Sequence, residues 1–185
     1  GTPNRATRRV GWFMPVSGKI PEAVKRKMVN QEGFEPNMGP DGAQLMGARL
    51  DNEGNSGGRG SGDWTCAMPD HWLFEGTGMK KGDSVKGLVG WEWHGAPAMD
   101  LPGMKVVAEG TPFINGKEMG RYTSTLYDGP KKNVVFNAAT IWWANGLSSP
   151  PGHVNPSRHG VTQQGPDKRV QQVTHNLFRR FIAST

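Results

Sequence analysis

Apolar and polar residues alternate with a period near two in several stretches of the C-terminal half, and this pattern predicts β-strands. The stretches that fit are residues 88–94, 104–109, 122–127 and 133–136. The last two flank Asp128-Gly129-Pro130, which predicts a hairpin with a longer loop. Asn115-Gly116 predicts a second hairpin with a two-residue turn. Residues 44–50 fit a further short strand, and the apolar stretch 140–144 continues the strand pattern.

Two segments carry a helical period instead. Val170, Val173, Leu177 and Phe181 recur at the spacing of one helix face, and Asp167 precedes them as a good N-cap. We expect this face to pack against another chain or a further domain. A shorter helix is predicted over 22–31, after a proline and before a glycine. The pattern as a whole predicts a mixed, strand-rich α/β fold with a terminal amphipathic helix.

The composition limits the size of the core. Only 35% of the 185 residues are hydrophobic, and 27 glycines and 14 prolines favour loops. Either another polypeptide supplies part of the core, or the chain has a small core with long ordered loops. Residues 52–62 are glycine-rich but lack the GxxxxGK[ST] spacing of a phosphate loop, which favours a mobile surface loop. We therefore divide the chain into a basic arm, short helix and glycine-rich loop (1–62) and a main region (63–185).

The chain is basic, with a formal net charge of +6. This charge fits a nucleic acid or an acidic partner subunit. Because no nucleic-acid-binding motif accompanies it, we favour the subunit. Cys66 is the single cysteine, which excludes a disulfide framework and a cysteine-rich zinc site. We find no apolar run that could span a membrane and no signal peptide, so we expect a cytoplasmic protein. The chain lacks an initial methionine, and we expect a fragment, a processed product or a separately encoded subunit.

Candidate chemistry concentrates in residues 70–94, where tryptophans surround histidines and glutamates. On a strand over 88–94, Glu92 and His94 share one face about 7 Å apart, and Gly90 leaves space beside Glu92. A carboxylate there could have a raised pKa and act as a general base. The alternative is a solvated face of an amphipathic strand with the tryptophans packed inward. Spacing alone favours this alternative.

Other polar residues are ambiguous as well. His71 could orient a substrate or bond to the backbone, and the second role is commoner. Asn137 ends a predicted strand, a position that often faces a pocket. His153 and His159 fit no usual zinc spacing. The sequence contains no GxSxG or HExxH motif and no Cys/His pair.

These residues resemble a known family. The order and spacing of several motifs are similar to those in the C-terminal part of the N,N-dimethylformamidase large (beta) subunit family. The resemblance runs from about Asp63 to the end of the chain. It rests on the segments 70–78 (DHWLFEGTG), 81–83 (KGD), 87–92 (GLVGWE), 134–138 (VVFNA), 140–143 (TIWW) and 173–177 (VTHNL).

The resemblance implies an amide hydrolase that cleaves N,N-dimethylformamide, or a similar small amide, to an amine and formate. It implies a glutamine-amidotransferase-like layered α/β domain and a small helical partner subunit. It also implies a mononuclear iron held by two tyrosinates and a carboxylate, which would activate a water as a Lewis acid. The tyrosines here, Tyr122 and Tyr127, lie in a predicted hairpin strand that does not look like that metal site. We therefore expect no metal ligand in this chain and expect the iron to be bound by the remainder of the large subunit or by a separate chain.

With the resemblance, Glu92 becomes the best candidate for a general base or proton shuttle. His94 is expected either to assist Glu92 from a neighbouring position or to have no catalytic role. The substrate pocket is expected to draw on an aromatic and polar wall formed by His71, Trp72, Phe74, Phe136 and Asn137. The alternative is a non-catalytic structural or interaction module of a larger assembly.

Overall fold

The computed structural model describes residues 46–50, 59–90, 92–97, 100–129 and 133–183, with the side chains of residues 49 and 50 left aside. The basic arm, the predicted helix over 22–31 and most of the glycine-rich loop lie outside these residues. Within them, strands outnumber helices, and the strand-rich mixed class is confirmed. The glutamine-amidotransferase-like layering stays a prediction.

The described strands pair antiparallel throughout. The strand bounds are β1 (Ala48–Leu50), β2 (Gly62–Thr65), β3 (Ser84–Val89), β4 (His94–Pro97), β5 (Lys105–Gly110), β6 (Phe113–Ile114), β7 (Lys117–Glu118), β8 (Tyr122–Asp128), β9 (Val134–Asn137), β10 (Ser157–Arg158) and β11 (Val161–Thr162). A three-stranded sheet has the order β5-β8-β9, and the remaining pairs are β1-β4, β2-β3, β6-β7 and β10-β11.

Single bridges and side-chain bonds join these small sheets. Cys66 pairs with Ala108, which places the β2-β3 pair beside β5. The β1-β4 pair lies against β8, because the Thr123 hydroxyl donates to the Gly95 carbonyl oxygen at 2.5 Å and the Thr125 hydroxyl donates to Met46 at 2.5 Å. β4 and β9 therefore both neighbour β8, and this brings their ends together.

An aromatic cluster extends from the buried core to partly exposed rings beside it. The ring centroid of Trp64 lies 5.8 Å from that of Phe74 and 5.2 Å from that of Trp143. Phe136 continues the cluster, with its ring 5.5 Å from Trp143. The Trp64 indole N–H donates to the Ala138 carbonyl oxygen at 3.2 Å, so this buried ring also satisfies its polar atom.

The terminal helix, α1 (Lys168–Ala183), begins as predicted. The Asp167 carboxylate accepts a hydrogen bond from the Arg169 backbone N–H at 2.8 Å, which is the geometry of an N-cap. Val170, Val173 and Leu177 are buried against the chain's own 3-10 turns, Trp72–Phe74 and Trp143–Gly146. The expectation that these three side chains need another polypeptide was therefore wrong.

The end of α1 keeps an exposed apolar face. Phe181 is 38% exposed, Phe178 59% and Ile182 74%. The buried apolar side chains of α1 end at Leu177. The apolar spacing in the sequence continues to Phe181, so it does not show where burial ends.

The predicted strand over 88–94 was wrong, because the chain leaves the sheet at Gly90. Thr140 explains the break: its hydroxyl donates to the Leu88 carbonyl oxygen at 2.8 Å and accepts from the Gly90 N–H at 2.9 Å. One side chain thus replaces the bonds of a neighbouring strand. The same hydroxyl accepts from the Trp142 N–H at 3.0 Å. This local turn starts a 3-10 helix where the sequence pattern predicted continued strand.

The predicted hairpins were confirmed. β8 and β9 pair as expected, and β6 and β7 flank Asn115-Gly116. Asn115 has φ 48° and Gly116 has φ 86°, and positive φ at both turn residues is what a type I′ hairpin needs. β5 matches the prediction over 104–109, and β1 matches the end of 44–50. The strand β2, the start of β3 and the small β10-β11 hairpin were missed.

Candidate functional site

Two of the predicted site residues, His94 and Asn137, form a direct polar pair. His94 opens β4 and Asn137 closes β9, and both strands neighbour β8. The His94 Nδ1 atom lies 2.8 Å from the Asn137 Oδ1 atom. This pairing over 43 positions of sequence results from the topology, since β4 and β9 have no direct ladder between them.

The orientation of the Asn137 side chain is fixed by its own neighbourhood. Its Oδ1 atom accepts a hydrogen bond from the Ala139 N–H at 2.9 Å, and its backbone carbonyl accepts from the Ser124 hydroxyl at 2.7 Å. Ala139 has φ 59°, a left-handed conformation that costs energy for a residue with a Cβ. A flipped amide would set two donors against each other at Ala139, so the oxygen must face this N–H.

This orientation fixes the protonation of His94. Because Asn137 Oδ1 can only accept, His94 Nδ1 must carry the hydrogen and donate it. The neutral ring then has its lone pair on Nε2. His94 is half-buried; burial lowers the pKa of its imidazole, and the bond to Asn137 opposes part of that change. At neutral pH the pair therefore presents a neutral imidazole with its lone pair on Nε2.

Asn137 also has a polar atom without a partner. Its Nδ2 is buried, and no described residue accepts a hydrogen bond from it. Buried polar atoms of this kind are rare and need an explanation, such as a ligand or water. The pair therefore combines a buried donor with a lone pair on a neutral ring.

Glu92 does not lie on a strand between two tryptophans, as its sequence position predicted. It lies in the bend between β3 and β4, and its side chain is exposed. Trp93 is buried in the core, where its indole donates to the Arg59 carbonyl oxygen at 3.0 Å, while Trp91 lies outside the described residues. The shared strand face of Glu92 and His94 was therefore wrong, and so was the desolvated position of the carboxylate. The catalytic role of Glu92 stays a prediction.

The space expected beside Glu92 is filled. A Cβ placed on Gly90 would lie 2.8 Å from two ring carbons of Trp142. Gly90 accommodates this indole ring and leaves no room for a ligand.

The residues of the expected aromatic and polar wall lie in different surroundings. Phe74 is only 3% exposed and belongs to the core, and Phe136 packs on Trp143. His71 and Trp72 lie near the end of α1 instead. The Nδ1 atom of His71 accepts from the Leu73 N–H at 3.3 Å, so this histidine caps a 3-10 turn. Burial lowers the pKa of the His71 imidazole.

Trp72 borders a cleft of about 470 Å³ beside the end of α1. The Arg180 guanidinium carbon lies 5.8 Å from the centroid of the Trp72 ring. The cleft is lined by Trp72, Glu75, Asn176, Arg179, Arg180, Ile182 and Ala183. A second cleft, of about 280 Å³, lies beside β2 and is lined by Gly62, Asp63, Thr65, Thr111, Phe113 and Val161. Glu92 borders neither.

The described residues do not fit the iron site that the resemblance implies. Among them, no three histidine, cysteine or carboxylate side chains come close enough to hold a metal ion. Tyr122 is fully buried, and its hydroxyl accepts from the Thr65 N–H at 2.7 Å and donates to the Asp63 carbonyl oxygen at 2.8 Å. Burial raises the pKa of this phenol, which opposes a tyrosinate.

The pairing of His94 with Asn137 was missed. Asn137 had a local indication, as a polar residue at the end of a strand. His94 had none, because its partner is set by the packing of β4 on β8.

The described helices include none that is both long and apolar enough to cross a bilayer.

Fold and site together define a strand-rich mixed domain in which a half-buried histidine pairs with a buried asparagine at the junction of two sheets. The chain belongs to the N,N-dimethylformamidase beta subunit-like, C-terminal family, whose model matches residues 17–159. The match begins well before Asp63 and ends before α1, so the resemblance extends further upstream than expected and does not include the last motif. No curated protein and no solved structure matched the chain.

The family is named for a subunit of an enzyme that hydrolyses an amide. At this coarse level, membership supports an amide hydrolase that contains more than one chain. The boundary between residues 62 and 63 stays a prediction.

Proposed function

We propose that this chain is part of an amide hydrolase that cleaves N,N-dimethylformamide or a similar small amide to an amine and formate. The family match over residues 17–159 carries the proposal. The site adds a neutral imidazole with a lone pair on Nε2, two residues along the chain from the exposed carboxylate of Glu92. These are groups that can move protons during hydrolysis.

In this proposal Glu92 is the general base or a proton shuttle. An exposed carboxylate is a weak base, and cover from another surface would strengthen it by removing water. The remainder of the large subunit, or a separate chain that carries it, provides this cover, and a small helical subunit completes the cytoplasmic assembly. The iron is bound by residues outside this chain. Since the described residues offer no ligand set for it, we derive no step through the metal.

The chemistry assigned to Glu92 is simple. A water oxygen attacks the formyl carbon while the carboxylate takes one of the water's protons. The C–N bond then breaks, the amine nitrogen receives a proton, and formic acid is released. Protonation of the nitrogen is essential because an unprotonated amide anion is a very poor leaving group.

The test is Glu92→Gln in the complete enzyme, which keeps size and hydrogen bonding but removes the base. We expect turnover of N,N-dimethylformamide to fall by about 10²–10⁴-fold, with iron content unchanged. Glu75→Gln is the matched control, because Glu75 is an exposed carboxylate at the cleft beside α1. Full activity in Glu92→Gln would refute the role, and loss of iron would make Glu92 a ligand.

A non-catalytic module is the second candidate. The exposure of Glu92 and the separation of the predicted wall residues favour it. An assembly that binds this chain but hydrolyses none of a panel of small formamides would decide for the module.

A further inference from the structure

The hydrolysis described above assigns no proton transfer to the pair formed by His94 and Asn137, although its geometry is restrictive. The ring nitrogen Nδ1 is committed to Asn137, whose oxygen is committed in turn to the Ala139 N–H. A surface histidine can exchange tautomers, but this one cannot without losing a bond. In such an arrangement the lone pair of the neutral ring is confined to one nitrogen, Nε2.

The histidines of the described residues differ in this respect. His71 accepts a backbone bond at Nδ1, so its neutral ring carries the hydrogen on Nε2. His153 has its Nε2 atom 2.8 Å from the Asn145 amide nitrogen, in an exposed pair. His94 combines a half-buried position with the hydrogen on Nδ1. The exposed Asn145–His153 pair offers a matched control in the same chain.

We propose that His94 Nε2 carries the proton that the leaving amine needs, and that Asn137 is the positioning residue that keeps the lone pair of the neutral ring on this nitrogen. The proposal rests on the proposed function and deepens it. Glu92 releases to solvent the proton that it removes from the attacking water, and His94 Nε2 takes up one proton from solvent to become an imidazolium. Nε2 then donates this proton to the amide nitrogen as the C–N bond breaks. The imidazole returns to its neutral form, and no other reactant is consumed.

Burial suits this task. An imidazolium in a half-buried site is a stronger acid than one in water, because desolvation disfavours the charged form. It therefore releases its proton readily to a departing amine. The hydrogen bond from Nδ1 to the Asn137 oxygen is kept in both charge states, so the ring does not have to move between the two transfers.

The first test is spectroscopic and uses the 185-residue chain with ¹⁵N-labelled histidine. The ¹⁵N shifts of His94 at neutral pH should report a hydrogen on Nδ1 and a lone pair on Nε2. Asn137→Ala should shift the ring toward the commoner form with the hydrogen on Nε2. Asn137→Asp keeps both acceptor bonds and should keep the hydrogen on Nδ1, which covers the case in which Asn137→Ala does not fold. Asn145→Ala should leave the shifts of His94 unchanged. A wild-type His94 with its hydrogen on Nε2 would overturn the proposal.

The second test uses the complete enzyme and two substrates with different leaving groups. Nitrophenolate departs without a proton, so p-nitrophenyl formate does not need the donor. We expect His94→Gln to lower kcat for N,N-dimethylformamide by about 10²–10⁴-fold but to retain most turnover of p-nitrophenyl formate. Glu92→Gln should lose activity on both substrates.

The outcomes separate the two proposals. Equal losses on both substrates in His94→Gln would overturn the proton transfer to the amine and leave the amide hydrolase in place. Unchanged kcat on the amide would do the same. A wild-type assembly that hydrolyses no formamide would overturn the proposed function and this role together.

Discussion

The side-chain amide nitrogen of Asn176 donates to the Leu73 carbonyl oxygen at 3.0 Å. The same nitrogen lies 2.8 Å from the Glu75 carbonyl oxygen. A helix side chain thus satisfies the backbone of a 3-10 turn about a hundred residues earlier. Asn176 is buried, so water cannot replace these bonds.

Substitution of Asn176 by alanine should lower the free energy of unfolding by about 2–3 kcal/mol, because it leaves buried carbonyl groups without a donor. Urea denaturation followed by tryptophan fluorescence measures this change. His175→Ala, at an exposed neighbouring position on the same helix, is the control and should change stability by less than about 0.5 kcal/mol. Equal effects of the two variants would show that the bonds of Asn176 do not stabilise the fold.

Tyr122 joins strand β8 to β2 through its hydroxyl, which bonds to Thr65 and Asp63. Tyr122→Phe should cost about 2–3 kcal/mol at neutral pH, since a buried N–H and a buried carbonyl group lose their partner. Denaturant midpoints of the two proteins at pH 7 measure this difference.

The cost of Tyr122→Phe should shrink in alkali. Burial raises the pKa of Tyr122, so the folded protein keeps the phenol neutral while the unfolded chain ionises it above about pH 10. Wild-type stability is therefore complete below that pH and falls as the pH rises beyond it. At pH 11 the difference between wild type and Tyr122→Phe should be smaller than at pH 8 by about 1.4 kcal/mol. A difference independent of pH would show that the phenol ionises as easily when folded.

Gly90 lies where the ring of Trp142 reaches the backbone. Gly90→Ala would set its Cβ 2.8 Å from the ring, so we expect a loss of about 1–3 kcal/mol from overpacking. Trp142→Ala removes the clash along with the ring. In a double-mutant cycle, Gly90→Ala should cost at least about 1 kcal/mol less in the Trp142→Ala background. Equal costs in both backgrounds would mean that Gly90 has another role, such as the ligand space first expected.

Local pattern was sufficient where local chemistry decides the structure. The Asn115-Gly116 turn, the cap at Asp167 and the apolar face of α1 were predictable, because each depends on residues within a few positions. The strand over 88–94 failed for a different reason. Its period-two pattern is real, but the hydroxyl of Thr140, about fifty residues later, takes the place of a strand partner and ends the sheet at Gly90.

The candidate site shows the same limit. Single candidate residues can be identified from the sequence. Which of them come into contact, however, depends on how β4, β8 and β9 pack together. Asn137 and His94 come together, while Phe74 goes to the core and Trp72 to the cleft beside α1. The setting of Glu92 was inferred from a strand that does not continue through it, so its burial could not be predicted correctly.

Cys66 follows β2, pairs with Ala108 of β5 through a single β-bridge, and is 1% exposed. It is the single cysteine of the chain, and burial raises the pKa of its thiol, so the reactive thiolate is scarce in the folded protein. A thiol reagent can modify it only after the two strands part. The rate at which Cys66 is modified thus reports how often β2 and β5 separate. This local opening can be measured in the native chain without an engineered label.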